Sequence, residues 1–354
     1  MPDQQVEVIM AALFDAPATI LHSDRDYWLG AGRVGGCRVA VLAGDAPHLD
    51  VLQAVAGKND LTVFAHCQSG ESAEVSTYAP WIYVALAVDS PVATLTALNS
   101  EYCIDVTQSA TLIAQAADVT CTDSGEAYSV ARRFIRQTRP ISGVPVDRLS
   151  EQLLQRVPAD PYTPYDMQEV LAILLDDQPS LLRNSDGHLL TGLAQIGGMP
   201  LALMASQPSH DRGRLQVGDC IAAQRLMHLA QRLQLPIVVL QDTQGLGVDE
   251  VGVNDAVVAM LQTWQDITVP VVTVLLGCAF GLAHTALAGT GTRPTAQLAW
   301  PRAQIALDAP ASYSKQADVM LAAHGFGVHE VIDPRDTRTC VSQWLQLLQT
   351  GAQS

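Results

Sequence analysis

The sequence has few charged residues, few aromatic residues and little positive charge. Charged residues make up 16% and hydrophobic residues 48% of the 354 residues, so the composition excludes a disordered chain and favours a large buried interior. Lysine and arginine total 20 against 36 acidic residues, a formal net charge of −16 that opposes binding to nucleic acid. This length is typical of about two domains.

Paired cysteines, a secretory signal and common nucleotide or hydrolase motifs are also missing from the sequence. The seven cysteines are scattered and form no CxxC pair, so we expect neither a disulfide framework nor a metal site. The first ten residues, MPDQQVEVIM, lack the basic and apolar regions of a signal, and we predict a cytoplasmic protein. P-loop and GxSxG motifs are absent, so NTPase and hydrolase activities are not indicated.

The longest apolar segment, VPVVTVLLGCAFGLAHTALAG from Val269, is about long enough to span a bilayer. Proline, glycine and histidine interrupt it, and its first part is β-branched while its second part is rich in Ala and Leu. We therefore interpret it as a buried strand, a glycine turn and a buried helix, and expect no contact with a membrane.

Residues 158–177, PADPYTPYDMQEVLAILLDD, combine three prolines with a short hydrophobic pattern. Proline fixes its own φ and favours extended backbone in the residue before it, so the first part is predicted to be a non-helical connector, residues 158–165. Asp166 is a favourable N-cap, and hydrophobic residues follow it at helical spacing. The prediction is a connector that leads into a capped helix. An ordinary surface loop before a helix is the alternative.

Three sequence matches in the same order indicate an internal duplication. GRVGGCRVAVLA resembles AQIGGMPLALMA at an offset of 162 residues (197 − 35), and each is predicted to be a β-hairpin with a Gly-Gly turn. TVFAHCQSG resembles PIVVLQDTQG at an offset of 175 (245 − 70), and PVATLTALN resembles PVVTVLLGC at 179 (270 − 91). The rising offset predicts that the first copy is shorter by about 17 residues (179 − 162), mostly before its second matched strand.

The predicted fold is α/β, with two copies of one unit, each a parallel or mixed sheet covered by helices and with ligand sites at the strand ends. We place a truncated first domain at residues 1–150, the connector and its helix at 151–180, and the second domain at 181–354. The connector then joins the two copies.

Most of residues 158–340 resembles the carboxyltransferase (beta) subunits of biotin-dependent acyl-CoA carboxylases, such as propionyl-CoA and methylcrotonyl-CoA carboxylases. The connector, LPIVVLQDTQGLGVDE, QLAWPRAQIAL and GFGVHEVIDPRDTR carry the resemblance. It implies two crotonase-like (ClpP/crotonase) spiral domains, biotin on a carrier protein, and a coenzyme A thioester as substrate. It also implies biotin carboxylase and biotin carrier subunits as partners. Homo-oligomers, and hetero-oligomers with a second carboxyltransferase chain, both stay open.

Carboxyl transfer from biotin to an acyl-CoA passes through oxyanions, which backbone N–H groups at glycine turns can stabilise. By resemblance, Gly245, Gly281 and Leu282 are the candidate catalytic residues of the second half. The candidate substrate-binding residues are Ser69, Gly70, Gln244, Phe280 and Ala309. Leu282 replaces a second glycine of the family pattern, and Asp308-Ala309-Pro310 replaces Met-Gly-Pro.

The first half departs further from the family pattern, because Glu71 follows Gly70 where a glycine is expected. We also interpret residues 102–104, Tyr-Cys-Ile, as the replacement of a Gly-Gly-Ala turn. Two functions therefore stay open: an active carboxyltransferase subunit, or a degenerate homologue that serves an intact paralogue as a structural or regulatory partner. His284 is a candidate base, and the alternative interpretation is a structural histidine. Three arginines are candidate phosphate ligands, and the alternative interpretation is a solvated helix face: Arg132, Arg133 and Arg136.

Overall fold

The computed structural model describes most of the chain, in two compact units, Met1–Arg139 and Pro140–Ser354. The described residues are 3–23, 27–44, 60–66, 82–86, 100–106, 116–145, 150–160, 163–184, 186–247, 251–289, 291–292, 294–306 and 327–351. The three domains predicted at 1–150, 151–180 and 181–354 stay a prediction.

The first unit contains a seven-stranded sheet whose spatial order follows the chain, β1 to β7. Its strands are β1 (Thr19–Ser23), β2 (Tyr27–Val34), β3 (Cys37–Gly44), β4 (Leu61–His66), β5 (Ile82–Ala85), β6 (Tyr102–Asp105) and β7 (Val119–Thr120). Helices α1 (Asp3–Leu13) and α2 (Ser124–Arg136) belong to the same unit. The first three strands are antiparallel, and the pairs from β3 to β7 are parallel.

The second unit contains an eight-stranded sheet in the order β15-β13-β12-β11-β10-β9-β8, with β14 paired to β12. Its strands are β8 (Ser180–Leu181), β9 (Leu189–Ile196), β10 (Met199–Ser206), β11 (Ile237–Thr243), β12 (Val271–Phe280), β13 (Ala296–Ala299), β14 (Gln304–Ala306) and β15 (Glu330–Val331). Its helices are α3 (Leu153–Arg156), α4 (Met167–Leu174), α5 (Val217–Leu233), α6 (Val253–Asp266), α7 (Gly281–Ala286) and α8 (Thr337–Gly351). Short 3₁₀ turns lie at Ser150–Gln152, Asp211–Gly213 and Pro334–Asp336.

The two sheets confirm the predicted duplication, because strand order and direction are the same in both. In each, two antiparallel pairs precede a run of parallel pairs. Both hairpins turn at a Gly-Gly pair with positive φ, +56° and +87° at Gly35 and Gly36, and +59° and +76° at Gly197 and Gly198. Strand register reproduces the first two offsets, since Ala40 pairs with Thr62 as Ala202 pairs with Ile237.

The third predicted match is wrong. Val63 pairs with Ile82 while Val238 pairs with Val272, so β5 corresponds to β12 at an offset of 190 (272 − 82). The segment from Pro91, which had been matched to β12, lies outside the described residues. Between its hairpin and this strand, the first copy is therefore 28 residues shorter than the second (190 − 162), rather than about 17. The predicted match depended on the proline that begins both PVATLTALN and PVVTVLLGC. The true counterpart, IYVA in β5, has larger side chains than VVTV in β12 and does not resemble it in sequence.

Residues 102–104 also lie elsewhere than expected. Tyr102, Cys103 and Ile104 are buried in strand β6 and pair with β5, so they form no turn. The interpretation of this segment as a lost glycine turn is wrong. It followed from the incorrect offset, which misplaced the strand boundaries and so put a turn where a short buried strand lies.

The connector helix forms as predicted. Asp166 caps α4 by accepting a hydrogen bond of 2.9 Å from the N–H of Gln168, and the buried face of α4 packs into the core of the second unit. The apolar segment from Val269 forms strand β12 and then the short helix α7, as predicted. Within the described ranges, no helix is both long and apolar enough to cross a membrane.

Candidate active site

Two turns meet at the carboxyl edge of the second sheet, where β11 and β12 end side by side. The strands are parallel, and Thr243 pairs with Ala279. Gln244 and Gly245 follow β11 directly, and Phe280 closes β12 before α7 begins. The structure therefore brings together the candidate residues of the second half that it describes, at the edge where parallel sheets place their ligand sites.

The first turn is built around Gly245, whose φ is +118° and whose missing Cβ faces open space. A side chain here would be strained, and glycine leaves room for a ligand to approach the backbone. The N–H of Gly245 makes a 3.3 Å hydrogen bond to Oγ1 of Thr243, and its carbonyl accepts a 3.1 Å bond from the N–H of Leu215. At 3.3 Å this hydrogen bond from the N–H is longer than the usual range of about 2.7–3.2 Å.

The second turn places Gly281 at the start of α7 with φ +61°. The N–H groups of the first helical turn have no acceptor within the helix, so Gly281 and Leu282 supply donors to this edge. Phe280 is buried, whereas 53% of Leu282 is exposed. The Leu282 side chain therefore stands at the surface beside the turn and does not fill the core.

His284 is a structural residue in this arrangement. It is buried, its Nδ1 lies 2.9 Å from Oε1 of Gln241, and Nε2 of Gln241 donates to the His284 carbonyl at 3.3 Å. Burial lowers the pKa of His284 to about 4, so the ring is neutral near pH 7. The alternative of a structural histidine is the one that these contacts support.

A strained loop supports the first turn, and sequence reasoning missed it. Asp211 and Arg212 have positive φ values of +37° and +54°. The Arg212 carbonyl accepts a 3.3 Å bond from the N–H of Gln244, and Oγ1 of Thr243 donates to the carbonyl of Gly213 at 2.6 Å. Strain of this kind concentrates at functional sites. The single sequence signal was the glycine in DRGR.

Asp242 is the second feature that sequence reasoning missed, since it was noted there only as part of a turn. Its Oδ1 accepts a 2.8 Å bond from the N–H of Cys278, and its Oδ2 accepts a 3.0 Å bond from the hydroxyl of Tyr165. Burial raises the pKa of Asp242 to about 7, and burial likewise raises the pKa of Tyr165 well above its usual value.

Several predicted site residues lie outside the described residues, namely Ser69, Gly70, Glu71, Asp308, Ala309 and Pro310. Their roles stay predictions. In the first unit, Arg132 pairs with Asp15 at 2.7 Å on a partly exposed helix face. In the part of the chain that is described, no group of three or more His, Cys, Asp or Glu side chains is arranged to hold a metal ion.

Comparison with known families assigns the chain to one of them. The family model for the carboxyl transferase domain matches residues 128–317, just over half of the chain. The chain belongs to the carboxyl transferase domain family. The matched range contains both turns, the strained loop and the connector of this carboxyl transferase domain.

Curated relatives agree with the family. The beta5 subunit of a Mycobacterium tuberculosis (strain CDC 1551 / Oshkosh) biotin-dependent acetyl-/propionyl-coenzyme A carboxylase is 34% identical over 158 residues, 43% of this chain and 28% of the relative. A probable acyl-coenzyme A carboxylase beta2 subunit of Mycobacterium tuberculosis (strain ATCC 25618 / H37Rv) is 27% identical over 285 residues, 66% of this chain and 53% of the relative. The chain thus spans from 28% to 53% of the length of these relatives.

Solved structures show the same fold. Transcarboxylase 12S, a hexamer solved with methylmalonyl-coenzyme A bound, superposes with a TM-score of 0.78 at 18% identity, covering 98% of this chain and 91% of its own. A single-chain, multi-domain long-chain acyl-CoA carboxylase superposes at 0.75 and 16% identity, covering 90% and 41%. The crotonase-like α/β fold and the resemblance to carboxyltransferase beta subunits are confirmed.

Proposed function

We propose that the chain is a carboxyltransferase subunit that moves a carboxyl group between carrier-bound biotin and an acyl-CoA, within a multi-subunit carboxylase or decarboxylase. One observation carries the proposal: the Gly245 and Gly281 turns lie together at the ends of two adjacent parallel strands. Biotin on its carrier would supply the carboxyl group to be transferred.

The described residues fit such a group. A ureido oxygen needs N–H donors in a space free of side chains, and Gly245 leaves the position of a Cβ empty while the first turn of α7 supplies donors. Preorganised donors stabilise a developing oxyanion without a nucleophile or a metal. The neutral His284 adds no charge, and the bonds of Gly213 and Leu215 to the first turn hold its backbone in place.

The names of the relatives suggest the partners. The curated relatives are beta subunits of biotin-dependent carboxylases, and transcarboxylase 12S is described as a hexamer at a multienzyme core. We therefore propose a biotin carboxylase and a biotin carrier as partners, and an oligomeric carboxyltransferase formed by this chain alone or with a second carboxyltransferase chain. A cytoplasmic location stays a prediction.

A second candidate function is that of a degenerate homologue that supports an intact paralogue. The shorter first copy favours it, because 28 residues are missing by the strand that matches β12 (190 − 162). The loss lies between β3 and β5, where the second unit has helices α5 and α6 together with the loops around them, and loops carry many binding residues.

A reconstituted transfer assay separates the two functions. The purified chain is incubated with carboxylated biotin carrier and acetyl-, propionyl- or longer acyl-CoA, alone and with a co-expressed paralogue, and carboxylated product is measured. Carboxylation that depends on this chain supports the enzyme. Turnover by the paralogue that is unchanged when this chain carries a turn substitution supports the degenerate homologue.

A further inference from the structure

Asp242 lies at the point where three segments of the second unit meet. Its side chain is buried near the end of β11, two residues before the Gly245 turn begins at Gln244. The carboxylate accepts one hydrogen bond from β12, through the N–H of Cys278, and one from the connector, through the hydroxyl of Tyr165. A buried carboxylate with two donors holds the elements that carry those donors in fixed positions.

The pairing of β11 with β12 is interrupted at Asp242. Gln241 pairs with Leu275, but Thr243 pairs with Ala279, so β12 contains a bulge that ends before the Gly281 turn. Oδ1 of Asp242 bonds to the N–H of Cys278 inside this bulge. The bulge changes the direction of β12 before the Gly281 turn, and the Asp242 side chain satisfies one of its N–H groups.

Glycine is required opposite this carboxylate. A Cβ on Gly277 would lie 2.3 Å from Oδ2 of Asp242 and 2.7 Å from Oδ1, far inside van der Waals contact. The close approach shows that the bulge and the Asp242 side chain fit each other specifically.

The connector is fixed on both sides of Tyr165. On one side, Asp166 caps α4 and its Oδ1 accepts a 2.8 Å bond from Nε2 of Gln207. On the other, Arg302 donates a 2.8 Å bond to the carbonyl of Val157. The chain on either side of Tyr165 is thus held by contacts that do not involve Asp242.

We propose that Asp242 is a positioning residue, which ties the connector, through Tyr165, to the bulge of β12 and so sets the spacing of the Gly245 and Gly281 turns. The inference rests on the proposed function, since the two turns are its candidate donors. It assigns to the connector a role in the site beyond joining two domains.

Ionisation of Asp242 controls this arrangement. Among the described residues, the titratable and charged side chains around it are Tyr165, Cys278, Arg302 and Asp160, which lines the same small cavity as Tyr165 and Arg302. The ionised carboxylate accepts both bonds. The protonated form carries an O–H in place of one acceptor, so the Tyr165 hydroxyl has to turn or lose its bond. Because the pKa of about 7 in the buried site lies above the ordinary value of 3.8, the closed arrangement is most stable with Asp242 protonated and loses stability as pH rises toward 7.

Amide hydrogen exchange of the full chain, followed by mass spectrometry at pH 6 and pH 8 and corrected for intrinsic rates, tests the proposal. We expect peptides covering 242–247 and 276–283 to exchange about tenfold faster at pH 8 than at pH 6, because the closed arrangement, in which the pKa of Asp242 is about 7, binds the proton more tightly than the opened one does. Asp242→Asn keeps an acceptor for the N–H of Cys278, places an NH₂ donor opposite the Tyr165 hydroxyl, and should abolish this pH dependence because asparagine does not titrate. Tyr165→Phe should make it larger while Asp242 still bonds to β12, because loss of the hydroxyl donor raises the pKa of Asp242 further.

Asp219→Asn is the matched control. Asp219 is also buried, burial also raises its pKa, and its bonds go to the N–H groups of His188, Leu189 and Gln216 rather than to β12. It should leave the pH dependence of both turns unchanged. Equal exchange of the wild-type turns at the two pH values, or an equal pH dependence in Asp242→Asn, overturns the proposal.

The pH profile of biotin-dependent transfer in the assembled enzyme is the functional readout. Asp242→Asn should remove the limb near pH 7 from kcat/KM for biotin, whereas a merely structural loss would scale the profile without moving it. Absence of transfer by the wild-type assembly at every pH would count against the proposed function alone. The exchange result would still decide whether Asp242 positions the turns.

Discussion

The hydroxyl of Tyr165 donates a 3.0 Å hydrogen bond to Oδ2 of Asp242, 77 residues further along the chain. This bond joins the connector to the end of the strand that leads into the Gly245 turn. Both side chains are buried, so the bond is made where water cannot replace it. Its effect on stability can be measured separately from any activity.

Asp242→Asn should make the protein more stable at pH 8 than the wild type. The pKa of Asp242 is about 7 in the folded chain and has an ordinary value of 3.8, so the folded state binds the proton more tightly than the unfolded state does. The stability of the wild type therefore falls as pH rises from about 4 to 7, and asparagine lacks this loss. We expect a gain of about 2–4 kcal/mol at pH 8 and little gain at pH 4.

Urea unfolding of both proteins at several pH values measures the difference in their free energies of unfolding. The other titrating groups contribute equally to both proteins and cancel in this difference. A constant difference between the two proteins from pH 4 to pH 8 would mean that Asp242 titrates normally in the folded state.

Tyr165→Phe should destabilise the second unit by about 1–3 kcal/mol at pH 8, because it leaves a buried carboxylate with one donor fewer. In the Asp242→Asn background the same change should cost less, since no charge then depends on the hydroxyl. A double-mutant cycle by urea unfolding gives the coupling energy. A coupling near zero would show that the hydroxyl and the carboxylate stabilise the fold independently.

Leu282→Gly should leave stability nearly unchanged and lower the KM for biotin. The side chain is 53% exposed beside the Gly281 turn, where the family pattern has glycine. Removing it costs at most about 1 kcal/mol of helix propensity in the first turn of α7 and clears the space next to the candidate donors. Thermal unfolding and steady-state kinetics with free biotin test the two parts. An unchanged KM would show that the leucine does not obstruct biotin.

The sequence predicted the parts of the fold that depend on local patterns. The Gly-Gly hairpins were predictable because only glycine readily adopts two successive positive φ values, and the alternating strands on either side set the register. The capped helix at Asp166 was predictable for the same reason, since the cap and the hydrophobic spacing lie within one segment. The two turns followed from glycine after buried strands.

Features that depend on distant residues were missed. The counterpart of β12 was placed at Pro91 instead of Ile82, because buried strands of small apolar residues are alike and register alone distinguishes them. The pair of Tyr165 and Asp242 carries no sequence signal, since a carboxylate after a strand is ordinarily a solvated turn residue. Asp211 and Arg212 have positive φ in a loop that is bonded to the distant Gln244, a contact that local sequence patterns do not indicate.

The most direct test of the account is the effect of alanine at Gly245 compared with alanine at Gly252 on biotin-dependent carboxyl transfer. Both glycines have positive φ, +118° and +91°, and neither has an atom within 4 Å of the position of a Cβ, but Gly252 is the N-cap of α6 and is not part of the Gly245 turn. With carboxylated biotin carrier and acyl-CoA, Gly245→Ala should lower kcat by about 10²–10³-fold, because one oxyanion donor is displaced, while Gly252→Ala stays close to the wild type. Equal rates for the two variants would contradict a role of the Gly245 turn in carboxyl transfer.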